Sequence, residues 1–202
     1  MVVTMAALVL GLLVASAKSN YDAQNAELVK VSANVVLLDR GLAHYGPEAK
    51  EARAMLSDIV ARFLKLMRAE DPTLMDPARG GAEILYGKIE DLSPKDDAQR
   101  LLKSQMLSMA TTVGQTRWLI YEQSATAVSV PFIVIVVFWL TVIFLGWGLL
   151  AHRNTTLIVT MLVSALSASG AIFLILEMYS PYRGLIRISD APIRAALAAL
   201  GQ

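Results

Sequence analysis

Residues 124–151 read SATAVSVPFIVIVVFWLTVIFLGWGLLA and contain no charged side chain. This stretch indicates the fold of the chain. After His152 and Arg153, a second uncharged run continues from Asn154 to Leu176. An α-helix rises about 1.5 Å per residue and the hydrocarbon core of a bilayer is about 30 Å thick, so each run is long enough to cross it. Lipid offers no hydrogen-bond partner to a free backbone amide, so both runs must be helical. Together they predict a transmembrane hairpin.

A third apolar segment, residues 2–17, opens the chain and would be about 24 Å long as a helix. We favour a retained transmembrane helix, because small residues recur at three- and four-residue steps along one face, as in membrane helices that pack closely. These residues are Thr4, Ala7, Gly11 and Ala15. The alternative is a secretory signal cleaved at the small-residue motif 15–17, although no Lys or Arg precedes the apolar stretch.

Charged residues are concentrated between the apolar runs. Of the 35 charged side chains, 29 lie between Lys18 and Glu122, where 14 are basic and 15 are acidic. This nearly neutral segment has no basic patch for phosphate groups, so we expect no nucleic-acid partner. The chain has no cysteine and two histidines, and it contains no glycine-rich phosphate loop or metal-binding spacing. We therefore expect no catalytic, cofactor-binding or metal-binding residues, and no enzyme activity.

The distribution of basic residues predicts the orientation in the membrane. If three helices cross the bilayer, the central segment and the C-terminal tail lie on one side, and the short turn at 152–155 lies on the other. Most basic residues near the ends of the predicted spans lie on the side of the central segment and the tail, whereas the turn has only Arg153. Because such residues stay in the cytoplasm, the central segment and the tail should face inward. The residues on that side are Lys18, Lys30, Lys103, Arg117, Arg183, Arg187 and Arg194.

Apolar residues at alternating steps of three and four predict a long helix at the start of the central segment. This helix should continue from the first span and end at Gly46-Pro47, because glycine accepts a positive φ and proline opens a following helix. A second helix is predicted over residues 48–69 as its antiparallel partner, followed by a loop rich in Pro, Asp and Gly over 71–81. The apolar seam of the first helix consists of Leu28, Val31, Val35, Leu38, Leu42 and Tyr45.

The second half of the central segment is also predicted to be helical. A short helix is expected over residues 82–91. Ser93 should then cap a long helix with Pro94 in its first turn, and this helix should run into the next span with a kink at Pro131. The apolar contacts of the short helix are expected to be Ile84, Leu85 and Ile89.

The C-terminal tail is predicted to lie along the membrane interface. Pro181 should end the third span, and Ser189 should cap a final helix. That helix is amphipathic, so its apolar side can lie against the bundle or the inner leaflet.

Small and hydroxylated residues form one face of the third span. Small faces are what membrane helices use to pack, and their hydroxyls can bond to the helix backbone, which favours a packing role. The alternative is that copies of this face surround an oligomer axis and line a water-filled pathway. The face consists of Thr160, Ser164, Ser167, Ala168 and Ala171.

Glu177 is an acidic residue at the end of the third span, where the C-terminal dipole of a helix disfavours negative charge. We expect an ion pair at the membrane interface with Arg117, at the matching depth of the preceding helix, or with Arg183. The alternative is a ring of carboxylates at the inner mouth of an oligomeric pore, which would favour cations.

Short motifs distributed along almost the whole chain carry a family resemblance. They are Ala6–Leu13, Ala15–Ser19, Leu92–Pro94, Arg117-Trp118, Pro131-Phe132, Phe138–Leu140, Arg153-Asn154, Ala165–Ser167, Ala171–Glu177 and Gly184–Ser189. In these motifs the chain resembles the bestrophin-like bacterial membrane proteins, a family with a domain of unknown function. The resemblance implies a multi-pass protein of the bacterial inner membrane, distantly related to the bestrophin anion channels. Such proteins commonly carry another apolar helix upstream, so we expect this copy to be shortened or its start site to be placed late.

We therefore predict an all-α integral membrane protein with three transmembrane helices and a cytoplasmic helical bundle. The helices occupy residues 1–17, 124–151 and 154–178, the bundle occupies 18–123, and residues 179–202 form an amphipathic tail that is interfacial or cytoplasmic. Its partners are the lipid bilayer and further copies of the chain, as a homo-oligomer. We favour an oligomeric ion channel or pore, for an ion that the sequence does not identify. The alternative is a non-conducting structural or sensory membrane protein whose bundle binds a protein partner.

Overall fold

The computed structural model describes residues 2–69, 81–125, 130–150, 155–182 and 184–201. In these ranges the regular structure is entirely helical, which confirms the predicted all-α class. The chain forms two compact units. The membrane unit comprises Met1–Asp22 and Thr126–Arg187, and the bundle unit comprises Ala23–Ala125 and Ile188–Gln202.

Helix α1 extends without interruption over Val2–Tyr45, a length of 44 residues. This confirms that the apolar segment at 2–17 continues directly into the seam helix. Gly46 ends α1 at φ 124°, a conformation that residues with a Cβ rarely adopt. Proline follows at once and opens a 3₁₀ turn, Pro47–Ala49, which leads into α2 at Lys50–Arg68. The prediction of a break at Gly46-Pro47 is therefore confirmed.

The predicted seam of α1 is the buried face of that helix in the bundle unit. All six seam residues are buried, from Leu42 at 0% exposed to Val31 at 8%. Helix α2 lies antiparallel to α1, since Asp39 pairs with Arg53 near the turn while Leu28 and Phe63 line one cavity farther from it. The buried face of α2 repeats mostly every four residues. It consists of Ala52, Leu56, Val60, Leu64 and Met67.

Helix α3 covers Ala82–Glu90, which confirms the short predicted helix. Leu85 and Ile89 are buried as expected. Ile84 is 61% exposed, so its predicted inward contact is wrong. A helix of nine residues makes few turns, and only one side of α3 packs against the bundle.

Helix α4 covers Asp97–Ala125, and its start corrects the predicted cap. The Asp96 carboxylate accepts a hydrogen bond of 2.7 Å from the backbone N–H of Gln99, so Asp96 is the capping side chain and not Ser93. The Gln99 side chain in turn accepts a hydrogen bond of 2.7 Å from the backbone N–H of Lys95. This reciprocal arrangement resembles a capping box and explains why the helix begins three residues later than predicted.

Helices α5, Val130–Leu150, and α6, Thr155–Met178, belong to the membrane unit. Within the described ranges, Phe132–Leu150 and Thr155–Met178 are the two stretches long and apolar enough to cross a bilayer. Most of their large apolar side chains are exposed, as at Phe138 and Leu166. Residues 71–80 of the loop predicted over 71–81 lie outside the described residues, and so does the junction at 126–129. The side chain of Pro131 and residue His152 also lie outside them.

Helix α7, Ala191–Ala199, closes the bundle unit. The N-cap of α7 is Asp190, so the predicted cap at Ser189 is wrong by one residue. The hydroxyl of Ser189 accepts a hydrogen bond of 3.2 Å from the backbone N–H of Ala191. Ile193 and Ala196 are buried. Arg68 of α2 binds the Asp190 carboxylate at 2.9 Å, so α7 is held to the bundle by both apolar and ionic contacts.

Candidate functional site

The membrane unit contains a cleft of about 710 Å³ between the N-terminal part of α1, the second half of α5 and residues 157–171 of α6. All five residues of the predicted face of α6 line this cleft: Thr160, Ser164, Ser167, Ala168 and Ala171. Ala7 and Gly11 of α1 line the opposite wall. The structure therefore brings the small faces of the first and third predicted spans toward one shared space within a single chain.

Two of the three α6 hydroxyl groups that line this cleft are directed back into the helix, and the third belongs to Ser167. Thr160 donates a hydrogen bond of 2.7 Å to the carbonyl of Thr156, and Ser164 donates one of 2.8 Å to the carbonyl of Thr160. Such bonds to the preceding turn satisfy the hydroxyl without a ligand or water. A Cβ added at Gly11 would meet no atom within 4 Å, so α1 leaves open space at this position of the cleft.

Glu177 lies in the last turn of α6, and its carboxylate binds the backbone that follows the helix. It accepts hydrogen bonds from the N–H groups of Leu185 and Ile186, the second at 3.1 Å. Gly184 makes this possible, because it has a φ of 87° and any Cβ there would collide with the carboxylate. The expected partners Arg183 and the Arg117 side chain lie outside the described residues. The contacts shown by Glu177 are therefore with backbone donors, a role that the sequence analysis missed.

Replacing Glu177 with alanine should release the loop at 184–186, because both N–H groups lose a charged acceptor. A hydrogen bond to a charged group contributes about 1.5–3 kcal/mol, so amide exchange at Leu185 and Ile186 should accelerate at least about tenfold. Hydrogen–deuterium exchange of the purified protein measures this. Glu177→Gln keeps an acceptor oxygen but loses the charge, so its exchange should lie between that of the wild type and that of Glu177→Ala. Unchanged exchange in Glu177→Ala would show that the carboxylate does not hold the loop.

Asp39 is the most buried charged residue described in the bundle unit, at 4% exposed. Its two carboxylate oxygens each accept a hydrogen bond of 2.7 Å from Arg53 of α2. The backbone N–H of Gly201 adds a third at 3.3 Å. Arg53 lowers the pKa of Asp39 despite the opposing effect of burial. One carboxylate thus joins α1, α2 and the C-terminal turn.

Asp39 was not predicted to be a site residue, although the sequence contains a signal for it. Gln24, Ser32 and Asp39 follow one another at steps of eight and seven residues, so they share one flank of the apolar seam. All three are buried. Ser32 donates to the carbonyl of Leu28 at 2.7 Å, whereas Asp39 requires a charged partner from another helix. Polar residues that repeat beside a heptad seam are therefore candidates for buried pairs.

The interior of the bundle unit offers little space for a ligand. Its core has an apolar cavity of about 60 Å³ between α1, α2, α3, α4 and α7. Ligand pockets have volumes of about 300–1,000 Å³, so this cavity is far too small for a cofactor. Among the described residues, no group of three or more His, Asp or Glu side chains is placed to hold a metal ion. The bundle is therefore a packed helical body with a buried ion pair.

Comparisons with known proteins agree with this architecture. A crystal structure of a bacterial bestrophin homologue from Klebsiella pneumoniae, carrying a leucine-to-threonine mutation, matches the chain with a TM-score of 0.75. The match covers 100% of this chain and 86% of that one at 15% sequence identity, so it shows a shared fold. No curated protein sequence matches the chain. The family model described as the Bestrophin-like domain matches residues 1–193, and the chain therefore belongs to the bestrophin-like family.

Proposed function

We propose that the chain is a subunit of a homo-oligomeric ion channel in the bacterial inner membrane. The observation that carries this proposal is the match of the Bestrophin-like domain over residues 1–193, together with the fold of a bestrophin homologue over the whole chain. The chain also has the two kinds of surface that a membrane channel subunit needs, which are apolar helices for the lipid and a charged helical bundle for water.

The surface of the membrane unit supports its placement in lipid. Large apolar side chains are more than half exposed on each of its three helices, among them Leu8 at 67%, Phe138 at 62% and Leu166 at 71%. A soluble protein rarely leaves so many large apolar groups in water. We propose three spans at residues 1–17, 124–151 and 154–178. The segment 18–123 then forms a cytoplasmic bundle, as the basic residues favour. The amphipathic tail 179–202 is interfacial or cytoplasmic, and its residues Ile188–Gln202 belong to the bundle unit.

We propose that the small face of α6 has a packing role and does not line the ion pathway. Two of its hydroxyls bond to their own helix, and the face is turned toward α1 of the same chain. Replacing both Ser164 and Ser167 with leucine should therefore leave the conductance within about twofold of the wild type. Single-channel recording of a correctly assembled double variant measures this. A block of current would instead assign the face to the pathway.

Reconstitution of the purified oligomer into planar bilayers tests the proposed function. We expect discrete currents whose reversal potential shifts when the anion or the cation on one side is exchanged, and the direction of the shift identifies the permeating ion. A pure and correctly assembled oligomer that passes no current would contradict the channel. The alternative, a non-conducting membrane protein with a protein partner, would then be favoured. It could use apolar residues exposed on the bundle, such as Ile84 and Leu101, each 61% exposed.

A further inference from the structure

The turn that follows α6 contains two backbone donors that meet at one oxygen atom. The N–H groups of Leu185 and Ile186 both bind Oε1 of Glu177, the second at 3.1 Å. They are successive groups of the backbone, and Gly184 before them has a φ of 87°. Successive N–H groups in such a turn form a concave site for anions, which is called a nest. Residues 184–186 therefore form an anion nest, and a carboxylate occupies it.

Glycine at position 184 leaves the space that this carboxylate occupies. A Cβ added at Gly184 would lie 2.9 Å from Cδ of Glu177 and 3.1 Å from its Oε2. Any other residue would also have to adopt the positive φ, which side chains with a Cβ disfavour. The anion nest thus depends on glycine for both its backbone conformation and its room for an oxyanion.

The negative charge in the anion nest is stabilised by the turn and not by its own helix. Glu177 lies in the last turn of α6, where the helix dipole disfavours an anion. Hydrogen bonds to an ionised acceptor are stronger than those to a neutral one, so the two N–H groups offset this unfavourable position. The same donors would favour an oxyanion on any molecule that reached them.

The anion nest lies at the surface of the membrane unit. Gly184 and Leu185 are both exposed, Leu185 to 83%, and Glu177 is only partly buried. A second molecule can therefore approach the two N–H groups when the Glu177 side chain moves away from them. Backbone nests are known to capture carboxylates of other molecules in this way.

We propose that the anion nest is a binding site for a singly charged oxyanion from outside the chain, and that Glu177 is its built-in competitor. The ligand is a free carboxylate or the phosphodiester of a lipid headgroup, which offer the same charge and the same kind of acceptor oxygen. The chain holds Glu177 at a high effective concentration, so the external anion binds the wild type more weakly than a variant without this carboxylate. The inference goes beyond the proposed function and does not depend on ion conduction.

Removal of the competitor tests the site. Glu177→Ala leaves the anion nest empty, whereas Glu177→Gln keeps a neutral acceptor of similar size. Hydrogen–deuterium exchange at Leu185 and Ile186 is measured for both variants and the wild type in a neutral detergent. Increasing sodium acetate represents free carboxylates, and increasing dihexanoylphosphatidylglycerol represents lipid headgroups. Glu177→Val, which also lacks an acceptor, replaces Glu177→Ala if that variant does not assemble.

We expect a probe to slow the exchange of Glu177→Ala at least about threefold and to reach saturation, because it restores a charged acceptor. The wild type and Glu177→Gln should change far less, since their own side chains fill the anion nest. Slowing by acetate alone assigns the site to free carboxylates, slowing by the lipid alone assigns it to headgroups, and slowing by both shows that it accepts either source. If neither probe slows the exchange of Glu177→Ala, or if all three proteins are slowed equally, the proposal is overturned.

Discussion

Asp39→Asn is expected to destabilise the full-length protein by about 3 kcal/mol, because it leaves the Arg53 guanidinium without its charged partner. The carboxylate is 5% exposed and the guanidinium 26% exposed, so water compensates the loss only in part. The neutral amide also weakens the bond from the backbone of Gly201, which anchors the C-terminal turn. Urea unfolding followed by circular dichroism in detergent measures the change in the midpoint.

A surface ion pair of α1 supplies the control for this prediction. Asp22 pairs with Lys18 one turn away, and both side chains are 55% exposed. Exposed pairs contribute at most about 1 kcal/mol, so Asp22→Asn should shift the midpoint far less than Asp39→Asn. If both variants lost the same small amount, the buried pair would not be a major source of stability in the bundle unit.

The same ion pair predicts a dependence on pH. Arg53 lowers the pKa of Asp39 in the folded protein, so its contribution to stability is fully present above the pKa of the unfolded chain, which is about 3.9. That contribution is lost as the pH falls through the lower, folded pKa. The difference in stability between the wild type and Asp39→Asn should therefore be constant from neutral pH to about pH 5 and shrink below about pH 4. A difference that grew on acidification would have the wrong sign.

Leu38→Ala is expected to cost about 2–5 kcal/mol of unfolding free energy, because it removes a buried side chain and leaves a cavity. Leu38 is 1% exposed at the centre of the α1 seam and lines the apolar cavity of the bundle unit. Enlarging this existing cavity adds to the penalty, since the surrounding helices cannot fully collapse around it. The same unfolding measurement in urea detects the loss as a lower midpoint.

The adjacent residue of the helix provides the comparison. Leu37 is 50% exposed, so Leu37→Ala should change the stability by less than about 0.5 kcal/mol. The two variants remove the same atoms from neighbouring positions and differ only in the face of α1. An equal effect of both substitutions would contradict the assignment of the buried seam.

The seam of α1 could be predicted from the sequence because helical packing imposes a repeat on apolar residues. The residues at 28, 31, 35, 38, 42 and 45 all satisfy that repeat, and all are buried. The cap of α4 could not be fixed in the same way, since Ser93 and Asp96 are both suitable capping residues. The choice depends on the hydrogen bonds between Asp96, Lys95 and Gln99, which only the folded backbone defines.

The hydrogen-bond partners of Glu177 and Asp39 could not be predicted from the sequence either. The charge pattern predicts a cation beside Glu177, and that prediction stays untested, but it does not predict the backbone N–H groups that a positive φ at Gly184 turns toward the carboxylate. Hydrogen bonds from backbone N–H groups cannot be predicted from the positions of charged residues. Asp39 was missed for the opposite reason, because a charged residue beside an apolar seam is usually assigned to the surface. Its partner Arg53 lies on a different helix, 14 positions away.

The central claim is that the apolar helices cross the membrane while the charged bundle stays in the cytoplasm. The chain has no cysteine, so single cysteines can be introduced without background labelling. Asn154→Cys marks the turn between the last two spans, and Ser108→Cys marks an exposed position of α4 in the bundle unit. A membrane-impermeant maleimide applied to intact cells should label Asn154→Cys, and it should label Ser108→Cys only after the membrane is permeabilised. Labelling of Ser108→Cys in intact cells would contradict the account.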